Sequence, residues 1–308
     1  MARDAVQVTD TAGPLTLKRA EKYGFCAGVR IADRTVRRLA AEGRSGQILG
    51  QLVHNERVVS DLVQLGFATA SSLDEVGTGT IVFSAHGVPP SFHRRALERG
   101  LLVVDTTCPF VYDVHEEARQ ALEAGLHAVF IGDSAHREVI GYTRDLDPDD
   151  YDVALTTEDV GRIDFDRHPR VKIFYQTTLN SEEYEDVARA IESAAQHAER
   201  ADTICYATKE NQDAARALAA DPVIDCIVVV GGRHSANTKH LWEICRDTKP
   251  RSYLVHGSDD LRADWFTDCR AVGVTAGAST PDAMIEEVEG AIRSLAPSGQ
   301  LPAPEAVP

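Results

Sequence analysis

Close-spaced cysteines are missing from this chain. The six it has, Cys26, Cys108, Cys205, Cys226, Cys245 and Cys269, stand far apart in 308 residues. That scatter excludes the dense disulfide framework of a small secreted protein. The lack of any C-x-x-C run also removes the close pair usual in a structural zinc site and the signature of a ferredoxin. Long apolar runs are missing too, since no window approaches the roughly eighteen uninterrupted apolar residues of a membrane span. The opening segment carries Asp4, Asp10, Lys18 and Lys22 and lacks the apolar heart of a leader peptide. The expectation is a cytoplasmic protein with no membrane partner, its thiols reduced or bound to metal. Positive charge is scarce: 32 Lys and Arg against 48 Asp and Glu leave a net charge of −16, without the basic footprint that nucleic-acid binding needs. One local exception is Arg30, Arg34, Arg37 and Arg38, which share a helix face and read either as a solvated surface or as a dock for an acidic redox partner.

What is present is alternation. Short β-rich runs that end in small polar residues, such as "GTIVFSAHG", "HAVFIGDSAH", "VKIFYQTTL" and "CIVVVGGRHSAN", are separated by helical segments. This predicts α/β architecture with parallel sheets, whose functional loops lie at the carboxyl ends of the strands. Measured from three of the cysteines, the pattern repeats. The interval from Cys26 to His54 equals that from Cys108 to His136, and the interval from Cys205 to Ser235 is two residues longer. A second loop donor follows in each case, at His86, Thr177 and Ser279. Three similar α/β domains are expected at 15–107, 108–203 and 204–295, in a pseudo-threefold arrangement that brings three cysteines to a common centre. Residues 1–14 and the Pro-rich stretch 296–308 read as flexible ends.

Cys26, Cys108 and Cys205 each open a helix, where the N-terminal dipole favours a thiolate. Three such ligands suit an iron-sulfur cluster that keeps one iron free of protein, a Lewis acid open to substrate. The other reading is buried structural cysteine, which is preferred for Cys226, Cys245 and Cys269 in their apolar surroundings. Around the first three, His54, His86 and His136 join Ser235, Asn237 and Ser279 as loop donors that could hold an anion such as a diphosphate, with cationic imidazoles replacing water. Glu138 is a proton-donor candidate, with Thr177 and Thr178 placed to orient it.

At these residues the chain resembles the 4-hydroxy-3-methylbut-2-enyl diphosphate reductase family, also called IspH or LytB. The resemblance runs from about Tyr23 to Leu295 through "GFCAGV", "VHNERVV", "FSAHGV", "DTTCP", "AHREV", "QTTL", "ICYAT", "HSAN" and "VTAGAS". It implies an oxidoreductase that removes the hydroxyl of its allylic diphosphate to give isopentenyl and dimethylallyl diphosphate in the methylerythritol phosphate isoprenoid pathway. It further implies a central 4Fe-4S cluster on Cys26, Cys108 and Cys205, and an electron donor such as flavodoxin or ferredoxin. His54, His86, His136, Ser235, Asn237 and Ser279 would grip the diphosphate, Glu138 with Thr177 would deliver protons, and Val29, Val111 and Thr208 would line the wall beside the hydrocarbon. Departures from the family pattern fall at Arg30 to Ala32, Arg137, Ile140, Ala236 and Lys209 to Asn211. They leave two alternatives to the reductase: a diverged homologue acting on another allylic substrate, or a cluster-bearing sensor without turnover.

Overall fold

The computed structural model describes residues 15–179 and 182–295, so the two ends expected to be flexible lie outside the described residues. The chain opens with β1 (Thr16–Arg19) and α1 (Ala27–Ala41). A first group follows: β2 (Gly46–Leu49), α2 (Glu56–Gln64), β3 (Phe67–Ala70), β4 (Thr80–Phe83), α3 (Pro90–Glu98) and β5 (Leu102–Asp105). The second comprises α4 (Pro109–Glu123), β6 (His127–Ile131), α5 (Arg137–Thr143), β7 (Tyr151–Ala154), α6 (Thr157–Val160), β8 (Arg170–Tyr175), α7 (Glu185–Ala194) and β9 (His197–Arg200). The third comprises α8 (Tyr206–Ala220), β10 (Cys226–Val230), α9 (Ala236–Thr248), β11 (Ser252–Val255), β12 (Ala271–Ala276) and α10 (Asp282–Leu295).

The strands form three parallel sheets of one design, ordered β3-β2-β4-β5, β7-β6-β8-β9 and β11-β10-β12-β1. Their central strands, such as "HAVFI" and "CIVVV", are buried along their whole length, as a sheet covered by helices on both faces requires. Each sheet accordingly has one apolar cluster on each face, for instance the Val129 and Ile173 side of the second sheet against its Phe130 and Phe174 side.

β1, which the sequence reading placed in the unit 15–107, pairs instead with β12 at the edge of the third sheet. The reason is visible in Arg19, whose guanidinium makes paired contacts of 2.5 and 2.8 Å with the buried Glu289 carboxylate on α10. The exchange closes a ring. The edge strand of each sheet runs directly into the cysteine that opens the next unit's first long helix: β5 into Cys108, β9 into Cys205 and β1 into Cys26.

Candidate active site

Each of the three cysteines is the N-cap of a helix and has extended backbone angles, Cys26 on α1, Cys108 on α4 and Cys205 on α8. Pro109 follows Cys108 at the first helical position, where its missing N–H costs nothing. Their placement obeys the threefold pattern at the level of single hydrogen bonds. The N–H of Cys108 donates to the carbonyl of Ala85 at 3.1 Å, that of Cys205 to Thr177 at 3.0 Å and that of Cys26 to Ala278 at 3.1 Å. Each acceptor lies in the loop after a central strand of the preceding unit, beside or at the second donor, so cysteine and donor are positioned together.

All three thiols face one cavity, part of it open to solvent. Helices α1 and α4 approach so closely there that a Cβ on Gly28 would stand 2.7 Å from the Cys108 sulfur, which leaves no room for any residue but glycine. Burial pushes the thiols of Cys26 and Cys205 up, and the helix N–H groups of Val29 and of Ala207 and Thr208 pull them down only in part. The dipole by itself therefore does not ionise these sulfurs.

His54, His86 and His136 meet on one side of the cavity, with ring centroids 4.4, 5.4 and 6.2 Å apart. His54 approaches Gln51 Oε1 through Nδ1 at 3.4 Å, and its Nε2 is buried without a partner. His86 Nδ1 lies 3.3 Å from Ser84 Oγ. In the third unit Ser235 caps α9, and the buried amide of Asn237 has neither its oxygen nor its nitrogen satisfied. Ser279 donates to the carbonyl of His54 at 3.1 Å and so ties the third unit's loop to the first's. A Cβ on Gly232 would come within 2.3 Å of that same carbonyl. Unsatisfied buried polar atoms are rare in folded proteins, and those of His54 and Asn237 belong to residues that line this cavity.

Two of the imidazoles, His54 and His86, depart from the cationic state expected from sequence. Burial, followed by the charges of His136 and Arg137, lowers the pKa of His54 to about 4, and burial puts His86 well below its ordinary value. Neighbouring buried rings do not readily carry charge together without a compensating anion.

Glu138 lies in the first turn of α5 and is 1% exposed. Its carboxylate accepts from Thr177 N–H at 2.5 Å, Thr177 Oγ1 at 2.9 Å and the Tyr142 hydroxyl at 3.0 Å. Tyr142 was not foreseen, although its spacing of four from Glu138 on a helix is a usable signal. Burial and the Glu138 charge hold its phenol well above the usual range. Thr178 does not orient Glu138, because its hydroxyl accepts from Gln176 Nε2 at 2.9 Å. Val29, Val111 and Thr208 line the cavity, as do Val53 and Phe110, which the sequence reading missed.

The departures from the family pattern mostly point outward. Arg30 pairs with Asp282, Lys209 with Asp202 and Glu210 with Lys22. Arg137 is exposed and covers Gly50, and Ile140 lines a separate groove. Ala236 alone of these reaches the cavity wall. The arginine face of α1 is largely neutralised by its own chain, with Arg37 on Asp33 and Asp61 and Arg38 on Glu42.

Comparison with known proteins agrees with this geometry. A family model described as LytB protein matches residues 17–293. The 4-hydroxy-3-methylbut-2-enyl diphosphate reductase of Anaeromyxobacter sp. (strain Fw109-5) is 38% identical over 91% of this chain and 98% of its own length. That of Aquifex aeolicus (strain VF5) is 34% identical over 92% and 97%. A solved structure of the same reductase, described as the terminal enzyme of the non-mevalonate pathway, aligns with a TM-score of 0.69 at 34% identity over 91% of this chain and 99% of that one. A reductase structure from Plasmodium falciparum, 24% identical, has the same fold with a TM-score of 0.82 over 96% of each chain. With one family model spanning nearly all the described residues and relatives aligned end to end, the chain belongs to the LytB family.

Proposed function

We propose that the protein is a 4-hydroxy-3-methylbut-2-enyl diphosphate reductase, which takes up an electron pair and protons and releases the substrate hydroxyl as water. The observation that carries this reading is the meeting, in one cavity, of three helix-capping thiols, three imidazoles, unsatisfied Asn237 and a buried Glu138–Thr177 pair. The donor set fits a 4Fe-4S cluster held by Cys26, Cys108 and Cys205, because all three sulfurs are free and face the same space from three different units. When bound, the cluster supplies electrons and a Lewis-acidic iron.

The chain's own residues do the rest. Asn237, with His54, His86, His136, Ser235 and Ser279, binds the diphosphate, and the arriving anion draws protons onto His54 and His86. Val29, Val111 and Thr208 hold the hydrocarbon against the wall and keep water out. Glu138 gives its proton to the departing hydroxyl, with the Thr177 hydroxyl as relay, and the Tyr142 hydroxyl keeps the carboxyl in place. We place the enzyme in the cytoplasm, where six free thiols persist, and assign it a small protein electron donor such as flavodoxin or ferredoxin. Among the described residues no helix is long and apolar enough to cross a membrane.

Anaerobically reconstituted, chemically reduced protein given the hydroxylated allylic diphosphate should form isopentenyl and dimethylallyl diphosphate. A brown, fully loaded protein that leaves it untouched would point to a diverged substrate or to a sensor. The intact Glu138–Thr177–Tyr142 cluster weighs against the sensor, which has no use for a buried proton relay.

A further inference from the structure

Two of the cysteines outside the cavity meet at the other end of the third sheet. Cys226 is the first residue of β10, and Cys269 ends the turn before β12; their sulfurs are 3.4 Å apart and both are free. The surroundings hold them there. Asp225 accepts from the N–H groups of Arg270 and Ala271 at 2.7 and 2.9 Å and donates its own N–H to the Ala271 carbonyl at 2.9 Å, which fixes the start of β12 beside the start of β10. Asp268, with φ of 61°, is the only non-glycine residue with positive φ among the described residues. That left-handed step, which Asp tolerates better than most residues, turns the chain just before Cys269. Arg251 then clasps the turn, its Nη2 donating to the carbonyls of Trp265 at 2.8 Å and Thr267 at 3.0 Å and reaching the Cys269 sulfur at 3.3 Å. Cys245 shows what an isolated buried thiol looks like, with a single weak contact of 4.0 Å to the Ala215 carbonyl.

We propose that Cys226 and Cys269 form a redox-convertible dithiol, which closes to an intrachain disulfide by exchange with a small-molecule disulfide. Cys269 is 9% exposed and Cys226 fully buried, so Cys269 meets the reagent first, and the Arg251 guanidinium places positive charge where negative charge develops on its sulfur. Its thiolate attacks one sulfur of the reagent, the reagent's S–S bond breaks, and a thiolate leaves to take up the proton Cys269 gave up. Cys226 then attacks the Cys269 sulfur, expels the second reagent thiolate and passes its proton to it. The dithiol has lost two hydrogens, and the reagent has become two thiols. A disulfide bond is about 2.0 Å long, so closure asks little more than side-chain rotation from sulfurs already in contact. The bond would tie β10 to β12, strands that are already paired, so it leaves the cavity at their carboxyl ends unaltered and stiffens the third unit.

The test uses anaerobically purified, cluster-loaded protein treated with oxidised glutathione, then alkylated in denaturant and mapped by peptide mass spectrometry. The expected result is one crosslink, Cys226 to Cys269, with Cys245 fully alkylated, the brown absorbance of the treated protein unchanged before denaturation, and a higher unfolding temperature without reductant than with it. Cys226→Ser should stop at a stable mixed disulfide on Cys269, and Cys269→Ser should acquire no glutathione. Full alkylation of both thiols in the unsubstituted chain, or a mixed disulfide that accumulates there on Cys269, would overturn the proposal, and neither reading depends on a variant folding.

Discussion

The six cysteines divide into two sets of three with opposite surroundings. Cys26, Cys108 and Cys205 are half-buried helix caps whose backbone N–H groups bond a neighbouring unit and whose sulfurs share a cavity. Cys226, Cys245 and Cys269 are buried within the third unit, and burial alone pushes the Cys245 thiol up to about 12. The side chain is the same. What separates the first set from the second is where the backbone stops: at the carboxyl-end rim of a parallel sheet, three units can each contribute one residue to a single point.

The sharpest break of that comparison is by substitution. Cys26→Ser, Cys108→Ser and Cys205→Ser should each lose the brown absorbance and all turnover, while Cys245→Ser keeps both, as read by absorbance and iron content. Next in size, Glu138→Gln should keep the cluster and bind substrate but lower kcat by about 10²- to 10⁴-fold. Turnover within about threefold of the parent would remove Glu138 from the proton path. His54→Ala should weaken inhibition by pyrophosphate by about 10- to 150-fold, the worth of a charge-assisted hydrogen bond of roughly 1.5–3 kcal/mol.

The smallest effect is on pH dependence. His54 titrates at about 4 in the fold and near 6.5 when unfolded, so between those values the unfolded chain holds more protons and stability falls as the pH drops. Denaturant midpoints should show that slope in ligand-free protein. His54→Gln should flatten it in part, and the buried His86 contributes what remains. Added pyrophosphate should reverse it, with proton uptake seen as buffer-dependent heat of binding.

Much of the site was legible because its residues follow strands at repeated intervals, and an interval along the chain is local information. The Cys26-to-His54 and Cys108-to-His136 match reflects two copies of one helix–strand–loop unit, and the structure brings these residues together with Ser235, Asn237 and Ser279. The unread parts depend on contacts between distant segments. Nothing in "TLKR" announces that β1 crosses to the third sheet, because the partner Glu289 lies at the far end of the chain. The expectation of cationic imidazoles at His54 and His86 fails for a related reason: the burial that lowers both comes from segments far apart in the chain. The contact between Cys226 and Cys269 depends on a left-handed aspartate and an arginine clasp that no spacing rule encodes.

The central claim is that three units each lend one thiol to a single cluster beside the anion donors. Anaerobic iron and sulfide analysis of the wild-type chain and of Cys205→Ser, each titrated with pyrophosphate while the cluster spectrum is followed, tests it most directly. The account predicts a loaded wild type whose spectrum responds to pyrophosphate and a Cys205→Ser protein that retains little iron. A Cys205→Ser protein with the full iron and sulfide of the wild type would contradict it.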